Sequence, residues 1–160
     1  AAAVPDPEIP VLTLADLGIL RDVRFGADGR PEVVLTPTYS GCPATEAIRQ
    51  DVLARTHLLD PQARVVIELA PAWTTDWITE DGRKKLREYG IAPPRPTRTG
   101  PVAIQLGSRP AARAAEDTAV RCPRCDSTDT ELVSQFGSTP CKSLRRCRSC
   151  AEPFDEFKSL

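Results

Sequence analysis

Cys122-Pro123-Arg124-Cys125 and Cys147-Arg148-Ser149-Cys150 are two Cys-x2-Cys pairs with 21 residues between them. Two cysteines at this spacing form a tight knuckle whose sulfurs can face one metal ion. A hairpin between the pairs brings a second knuckle opposite, giving the tetrahedral S4 set that Zn2+ accepts. Residues 130–136 and 144–146 are strand-like, and Gly137-Ser138-Thr139-Pro140 can turn between them. The expected module is a four-Cys zinc ribbon over residues 119–160, with zinc held by Cys122, Cys125, Cys147 and Cys150. So few apolar residues lie there that the metal would supply most of the folding free energy. Redox dithiols or disulfides are the alternative. Five of the six cysteines lie after residue 121 with no secretion signal ahead of them, which favours metal.

The whole chain has 160 residues, 41% hydrophobic and 27% charged, a composition of folded rather than disordered proteins. Its formal net charge is −1. The ribbon carries seven basic and six acidic residues, and four thiolates with one Zn2+ would add about −2. That balance argues against nucleic acid as a partner, although Arg121, Arg124, Lys142, Arg145, Arg146 and Arg148 would be its contacts. No apolar run approaches the roughly 20 residues of a membrane span. The opening Ala1-Ala2-Ala3-Val4-Pro5 lacks the basic flank and apolar stretch of a signal peptide, so the cytoplasm is the expected compartment.

Working back from the ribbon, residues 91–118 are rich in proline and read as an extended linker, with residues 101–106 as a candidate edge strand. Residues 1–90 read as an α+β domain. Thr13 can cap, and Gly18 can end, a short helix over residues 13–18. Residues 19–25 alternate, with Ile19, Val23 and Phe25 on one face. A turn at residues 27–30 leads to the returning strand over 31–37. Pro43 suits the first position of a helix running to Leu58, with Ala47, Ile48, Val52 and Leu53 as its apolar stripe. A strand over 63–69 and a helix from Thr79 to Tyr89, closed by Gly90, complete the order helix, hairpin, helix, strand, helix. The expected fold is a small sandwich with a mixed sheet covered by helices, followed by the ribbon.

Cys42 is the only cysteine before residue 122. Its place beside Pro43, ahead of a helix, aims the helix dipole at the sulfur, and Gly41 leaves it approachable. A sulfur so placed can bind iron or another soft metal, or attack an electrophile, or simply fill a buried cap position. Asp6 and Glu8, kept extended by Pro5, Pro7 and Pro10, are candidate acidic partners, as is Asp16; the plainer reading is solvated acids at a helix entrance. Cys141, in the ribbon's turn, is either a free buried thiol or a share in a second metal or redox event. His57 reads as a surface or packing residue. Trp73 and Trp77 read as core or interface, around a capped turn at Thr74, Thr75 and Asp76.

These residues carry a resemblance. Asp6-Pro7-Glu8-Ile9-Pro10, with Asp16-Leu17-Gly18-Ile19-Leu20-Arg21-Asp22-Val23 and Thr38-Tyr39-Ser40-Gly41-Cys42-Pro43, resembles the MIP18 (DUF59) family over about residues 5–90. Phe136-Gly137-Ser138-Thr139-Pro140-Cys141-Lys142, the cysteine pairs, and Glu152-Pro153-Phe154-Asp155-Glu156-Phe157-Lys158 resemble the tail of its PaaD branch, tied to the phenylacetyl-CoA epoxidase (oxygenase) system of phenylacetate catabolism. The resemblance implies iron–sulfur or metal-centre maturation by an accessory protein that does not itself perform the epoxidation. It implies as partners an oxygenase with a di-iron subunit and an iron–sulfur reductase. Carried over, Asp6 and Glu8 match the family's acidic motif, Cys42 its cysteine, and the cysteine pairs the branch's ribbon. A transient iron–sulfur cluster takes four ligands, so Cys42 would need a second copy, a client or a small thiol, and a homodimer is expected.

Two other classes stand beside that reading. A thiol-dependent enzyme would use Cys42, but the sequence has one histidine, no Gly-x-Ser-x-Gly and no nucleotide-binding glycine motif. A nucleic-acid-binding ribbon would need more positive charge than the segment carries.

Overall fold

The computed structural model describes residues 1–96 and 120–160. The candidate strand at 101–106 lies outside the described residues. The chain divides into two compact units, Ala1–Tyr89 with Leu160, and Gly90–Ser159. No helix among the described residues is long and apolar enough to cross a membrane.

In the first unit, β1 (Leu20–Phe25) and β2 (Pro31–Leu35) form the expected antiparallel hairpin. The helix α1 (Thr45–His57) then carries the chain back to β3 (Arg64–Ile67), which pairs parallel to β2 with Val33 opposite Val65 and Leu35 opposite Ile67. The sheet is mixed, in the order β1-β2-β3. A short 3-10 helix, Thr75–Trp77, follows, with Thr74 as its cap, and α2 (Glu80–Glu88) is capped by the Thr79 hydroxyl, which accepts from the Gly82 N–H at 3.0 Å. The capped turn and the closing Gly90, at φ +92°, match the sequence reading. Ile48 and Val52 anchor α1, while Ala47, expected in its apolar stripe, is exposed.

Two expectations are corrected here. Residues 13–18 form turns, not a helix. Thr13 does cap, accepting from the Asp16 N–H at 3.1 Å, and Gly18 does sit at φ +66°. Six residues are too few for helix hydrogen bonds to offset nucleation, and Leu14, Leu17 and Ile19 are fully buried, so tertiary packing shapes the segment. The second correction concerns β1. Ile19 is buried, but Val23 and Phe25 are 62% and 77% exposed. The ladder slips between Leu20 and Asp22, leaving Arg21 bulged, and β1 is an edge whose outer residues nothing covers among the described residues.

The core is fed largely by the irregular first 19 residues. Val4, Ile9, Leu12, Leu14, Leu17 and Ile19 join Val33, Val34 and Leu35 of β2, with Ile48, Val52, Trp73 and Leu86, all buried. Polar contacts hold that segment in place. Asp6 Oδ1 accepts from the N–H groups of Glu8 and Ile9 at 2.9 and 2.8 Å, and the Trp73 indole donates to the Leu17 carbonyl at 2.9 Å. Asp16, nearly buried, accepts from Lys85 Nζ at 2.7 Å and from the Thr13 N–H and hydroxyl, both at 2.9 Å.

In the second unit, β5 (Thr130–Ser134), β6 (Lys142–Cys147) and β7 (Pro153–Phe157) form an antiparallel ribbon. The two-residue strand β4 (Ile91–Ala92) pairs parallel to β7, so these residues, read as the start of the linker, belong to this sheet. Its order is β4-β7-β6-β5.

Burial raises the pKa of Asp16, but the Lys85 ammonium and the Thr13 donors more than offset this and hold the carboxyl below its ordinary value. Because the folded pKa is depressed, the stabilisation is fully present above the unfolded pKa and is lost as pH falls through the folded one. Asp16→Asn is therefore expected to cost about 1–3 kcal/mol at neutral pH, measured by urea unfolding. The gap to wild type should close in acid; a gap independent of pH would contradict the ion-pair account.

Candidate metal centre and the Cys42 turn

Each cysteine pair is built the same way. Cys122 accepts at its carbonyl from the Asp126 N–H at 3.0 Å and donates its own N–H to the Ser127 carbonyl at 2.9 Å. Cys147 donates to the Glu152 carbonyl at 2.9 Å. The residue after each pair, Asp126 or Ala151, has a positive φ, 63° and 62°. A non-glycine residue in that region costs roughly 1 kcal/mol, and the strain lets each knuckle fold back with both sulfurs on one side. The Ser127 and Ser149 hydroxyls, 2.7 Å apart, tie the two knuckles together. Sequence reasoning missed this link; its only trace is a serine two residues after the first pair and another inside the second.

The four sulfurs meet. Cys122 Sγ is 3.8 Å from Cys150 Sγ, Cys125 Sγ is 3.6 Å from Cys147 Sγ, and all four lie within 4.8 Å of one another. A tetrahedral ion with Zn–S bonds of about 2.3 Å needs sulfurs about 3.8 Å apart. The donor set therefore fits zinc. Cys122 and Cys147 are buried and Cys125 and Cys150 exposed. The Cys150 backbone N–H is the largest influence holding the Cys147 thiol down, at about 7. The Ser127 N–H acts the same way on Cys125, but the Cys150 sulfur, burial and the other two sulfurs push that thiol up to about 12. Crowded sulfurs resist ionising together, and a divalent cation reverses that preference.

Cys42 lies elsewhere, in the turn between the carboxyl end of β2 and α1. Its N–H donates to the Tyr39 carbonyl and its carbonyl accepts from the Thr45 N–H, both at 3.2 Å. The helix starts later than the sequence indicates: its N-cap is Ala44, not Cys42, and no side chain caps it. Pro43 therefore precedes the helix, because Cys42 and its neighbours close a separate turn first. Cys42 is half-buried. The Thr45 hydroxyl is buried with no hydrogen-bond partner among the described residues, a polar group that the sequence did not single out.

Among the described residues, one set of three or more His, Cys, Asp or Glu side chains converges as a metal site, the four ribbon cysteines. Cys42, Asp6 and Glu8 do not form another. Asp6 is buried and occupied with the loop it shapes, and Glu8 is half-buried. Cys141 is buried outside the four-sulfur group, with the Thr139 hydroxyl 3.0 Å from its sulfur. His57 is exposed, with Nε2 2.9 Å from the Ala63 carbonyl, in keeping with the surface or packing role expected of it.

Residues 2–65 match the family described as iron–sulfur cluster assembly protein, and residues 107–158 match the PaaD zinc beta ribbon domain. The chain is 50% identical over 161 aligned positions, covering 98% of it and 87% of the relative, to an Escherichia coli (strain K12) protein named as one of the subunits of 1,2-phenylacetyl-CoA epoxidase. It is 38% identical over 85 residues, 52% of this chain and 80% of the relative, to an iron–sulfur protein maturation auxiliary factor of Porphyromonas gingivalis (strain ATCC BAA-308 / W83). A crystal structure of a DUF59 domain of unknown function from Bacillus anthracis is 25% identical with a TM-score of 0.47, covering 53% of this chain and 82% of that one.

Removing the metal separates the two units experimentally. Both tryptophans, Trp73 and Trp77, lie in the first unit. Cys147→Ser, or prolonged chelation of wild type, is expected to remove one metal equivalent per chain by elemental analysis and to open the ribbon to protease. Tryptophan emission should stay unchanged. A ribbon that stays protease-resistant without metal would mean that its fold does not depend on the ion.

Proposed function

The chain belongs to the PaaD family of 1,2-phenylacetyl-CoA epoxidase subunits, and from that premise we propose that it is an accessory maturation protein of the ring epoxidase of phenylacetate catabolism. It assists assembly or delivery of an iron–sulfur cluster or metal centre through Cys42, and its ribbon docks the client. The clients are the oxygenase and iron–sulfur reductase components of that system, and the protein works in the cytoplasm without catalysing the epoxidation.

One observation carries this reading. The cysteine of the iron–sulfur-assembly domain stands apart from a complete four-sulfur set that needs no further ligand. Closed S4 sites serve structure. Cys122, Cys125, Cys147 and Cys150 would hold zinc, whose chemistry there is to neutralise the sulfurs and fix the ribbon. Cys42 is left as a single soft ligand on a loop at the carboxyl end of a parallel strand, the end where open α/β sheets bind ligands. One thiolate holds a cluster only with other ligands, which suits transient transfer and a homodimer better than storage. Asp6 contributes by shaping the loop that feeds the first unit's core, its Oδ1 accepting from the N–H groups of Glu8 and Ile9.

The test is made in cells that depend on the chain for growth on phenylacetate. Cys42→Ala is expected to bring growth and the cluster content of the reductase down to the level of a strain without the chain. The purified variant should keep its zinc and its tryptophan emission. Unchanged client iron and sulfide in the variant would overturn the role of Cys42.

A further inference from the structure

We propose that β1 is a self-pairing edge: two copies join antiparallel along it, about a two-fold axis at Val23. This names the surface of the homodimer and rests on that part of the reading above. β1 is an outer strand of its sheet, and residues 21–25 are exposed. Its outward N–H and C=O groups are a template for another strand. Val23 and Phe25 lie on one face of it, 62% and 77% exposed, an uncommon outlay of apolar surface on a strand of six residues.

Charge selects the register. With Val23 opposite the partner's Val23, Asp22 faces the partner's Arg24, and by symmetry the pair occurs twice. Sliding one residue sets Arg21 against the partner's Arg24, or sets Asp22 against the partner's Phe25. Sliding two residues puts Asp22 against the partner's Asp22, or Arg24 against the partner's Arg24. Opposite charges across strands stabilise and like charges destabilise, so the alternatives are disfavoured and one register remains. The side chains are available for it. Asp22 has no cation partner among the described residues; it accepts from the Val23 N–H at 2.8 Å, a bond that pairing at Val23 would exchange for one to the partner strand. Arg24 bonds Glu32 through Nε at 3.1 Å and Glu68 through one Nη at 2.6 Å, which leaves its other Nη for a partner.

The bulge at Arg21, whose guanidinium stacks 3.5 Å from the centroid of Trp77, ends the pairing on one side. Only Asp22, Val23 and Arg24 form the regular centre, flanked by Phe25 and Arg21. Such an interface falls short of the roughly 1,200 Å² of stable complexes. The dimer is therefore one that forms and dissociates with concentration, as a carrier that must open to a client requires.

Sedimentation equilibrium of the full chain over about a hundredfold concentration range, reaching about 0.5 mM, is expected to show a monomer–dimer equilibrium. Val23→Lys should raise its dissociation constant by at least about tenfold with zinc content and tryptophan emission unchanged. Asp22→Arg should weaken it likewise, and adding Arg24→Asp should restore it. Because Arg24 also serves Glu32 and Glu68, a covalent readout stands beside this: Val23→Cys should crosslink two chains on mild oxidation, while Val133→Cys, 56% exposed on β5, should not. A wild-type dimer indifferent to Val23→Lys would overturn this edge and leave the homodimer standing. A chain monomeric throughout, with no Val23→Cys crosslink, would overturn both. Neither result bears on Cys42 and client iron, which the growth experiment reads separately.

Discussion

Four sulfurs within one ion's coordination sphere are the constraint on which the second unit depends. Its buried cluster is Ala92, Val120, Cys122, Cys147 and Phe154, so two of the five residues at its centre are cysteines of the four-sulfur set. An apolar core this small cannot offset the conformational entropy of the surrounding strands. Lys142, Ser143 and Glu156 are buried as well, beside Ile91, Cys141 and Phe157. Glu156 lies between the Ser143 hydroxyl at 3.0 Å and Arg145 Nε at 2.5 Å, and the buried Lys142 is 3.6 Å from Asp155. Such pairs favour one register over another more than they add stability. Register matters here because a slip of β6 by one residue would turn Cys147 away from its partners.

The first unit reaches its order by another route. The βαβ path of β2, α1 and β3 gives a short parallel pair whose carboxyl end opens at the Cys42 turn. The irregular first 19 residues supply much of the core, and carboxylates rather than helix or strand ladders hold them. Asp6 closes one turn, and Asp16 joins Thr13, Lys85 and, through its carbonyl, the Thr79 N–H at 2.9 Å. Gly82 is required at that joint, since a Cβ there would stand 2.8 Å from the Asp16 carbonyl oxygen. The acidic residues near the start of the chain thus serve the scaffold that presents Cys42.

Much of this was legible residue by residue. The spacing of the cysteine pairs gave the metal set, the Asp28-Gly29 turn gave the hairpin, and Thr79 with Gly90 bracketed α2. The strand β7 was harder to read. Its buried residues are Phe154, Glu156 and Phe157, and a buried glutamate hides the alternation that marks a strand. β4 is two residues long and exists only through pairing with a strand some sixty residues away, which no local pattern records.

By itself, the sequence determined what chemistry the chain carries: two knuckles for one soft metal, a separate cysteine in a glycine-proline turn, and an α/β order ahead of them. Those are local properties, set by spacing and by the backbone preferences of Gly, Pro and Thr. Tertiary structure alone decided which groups meet. It gathered the four sulfurs, left Cys42 and Cys141 outside them, turned Asp6 inward to its own loop and left Val23 and Phe25 on an open edge. Each of these depends on contacts between residues far apart in the chain, and a pattern read along one segment carries no information about what covers it.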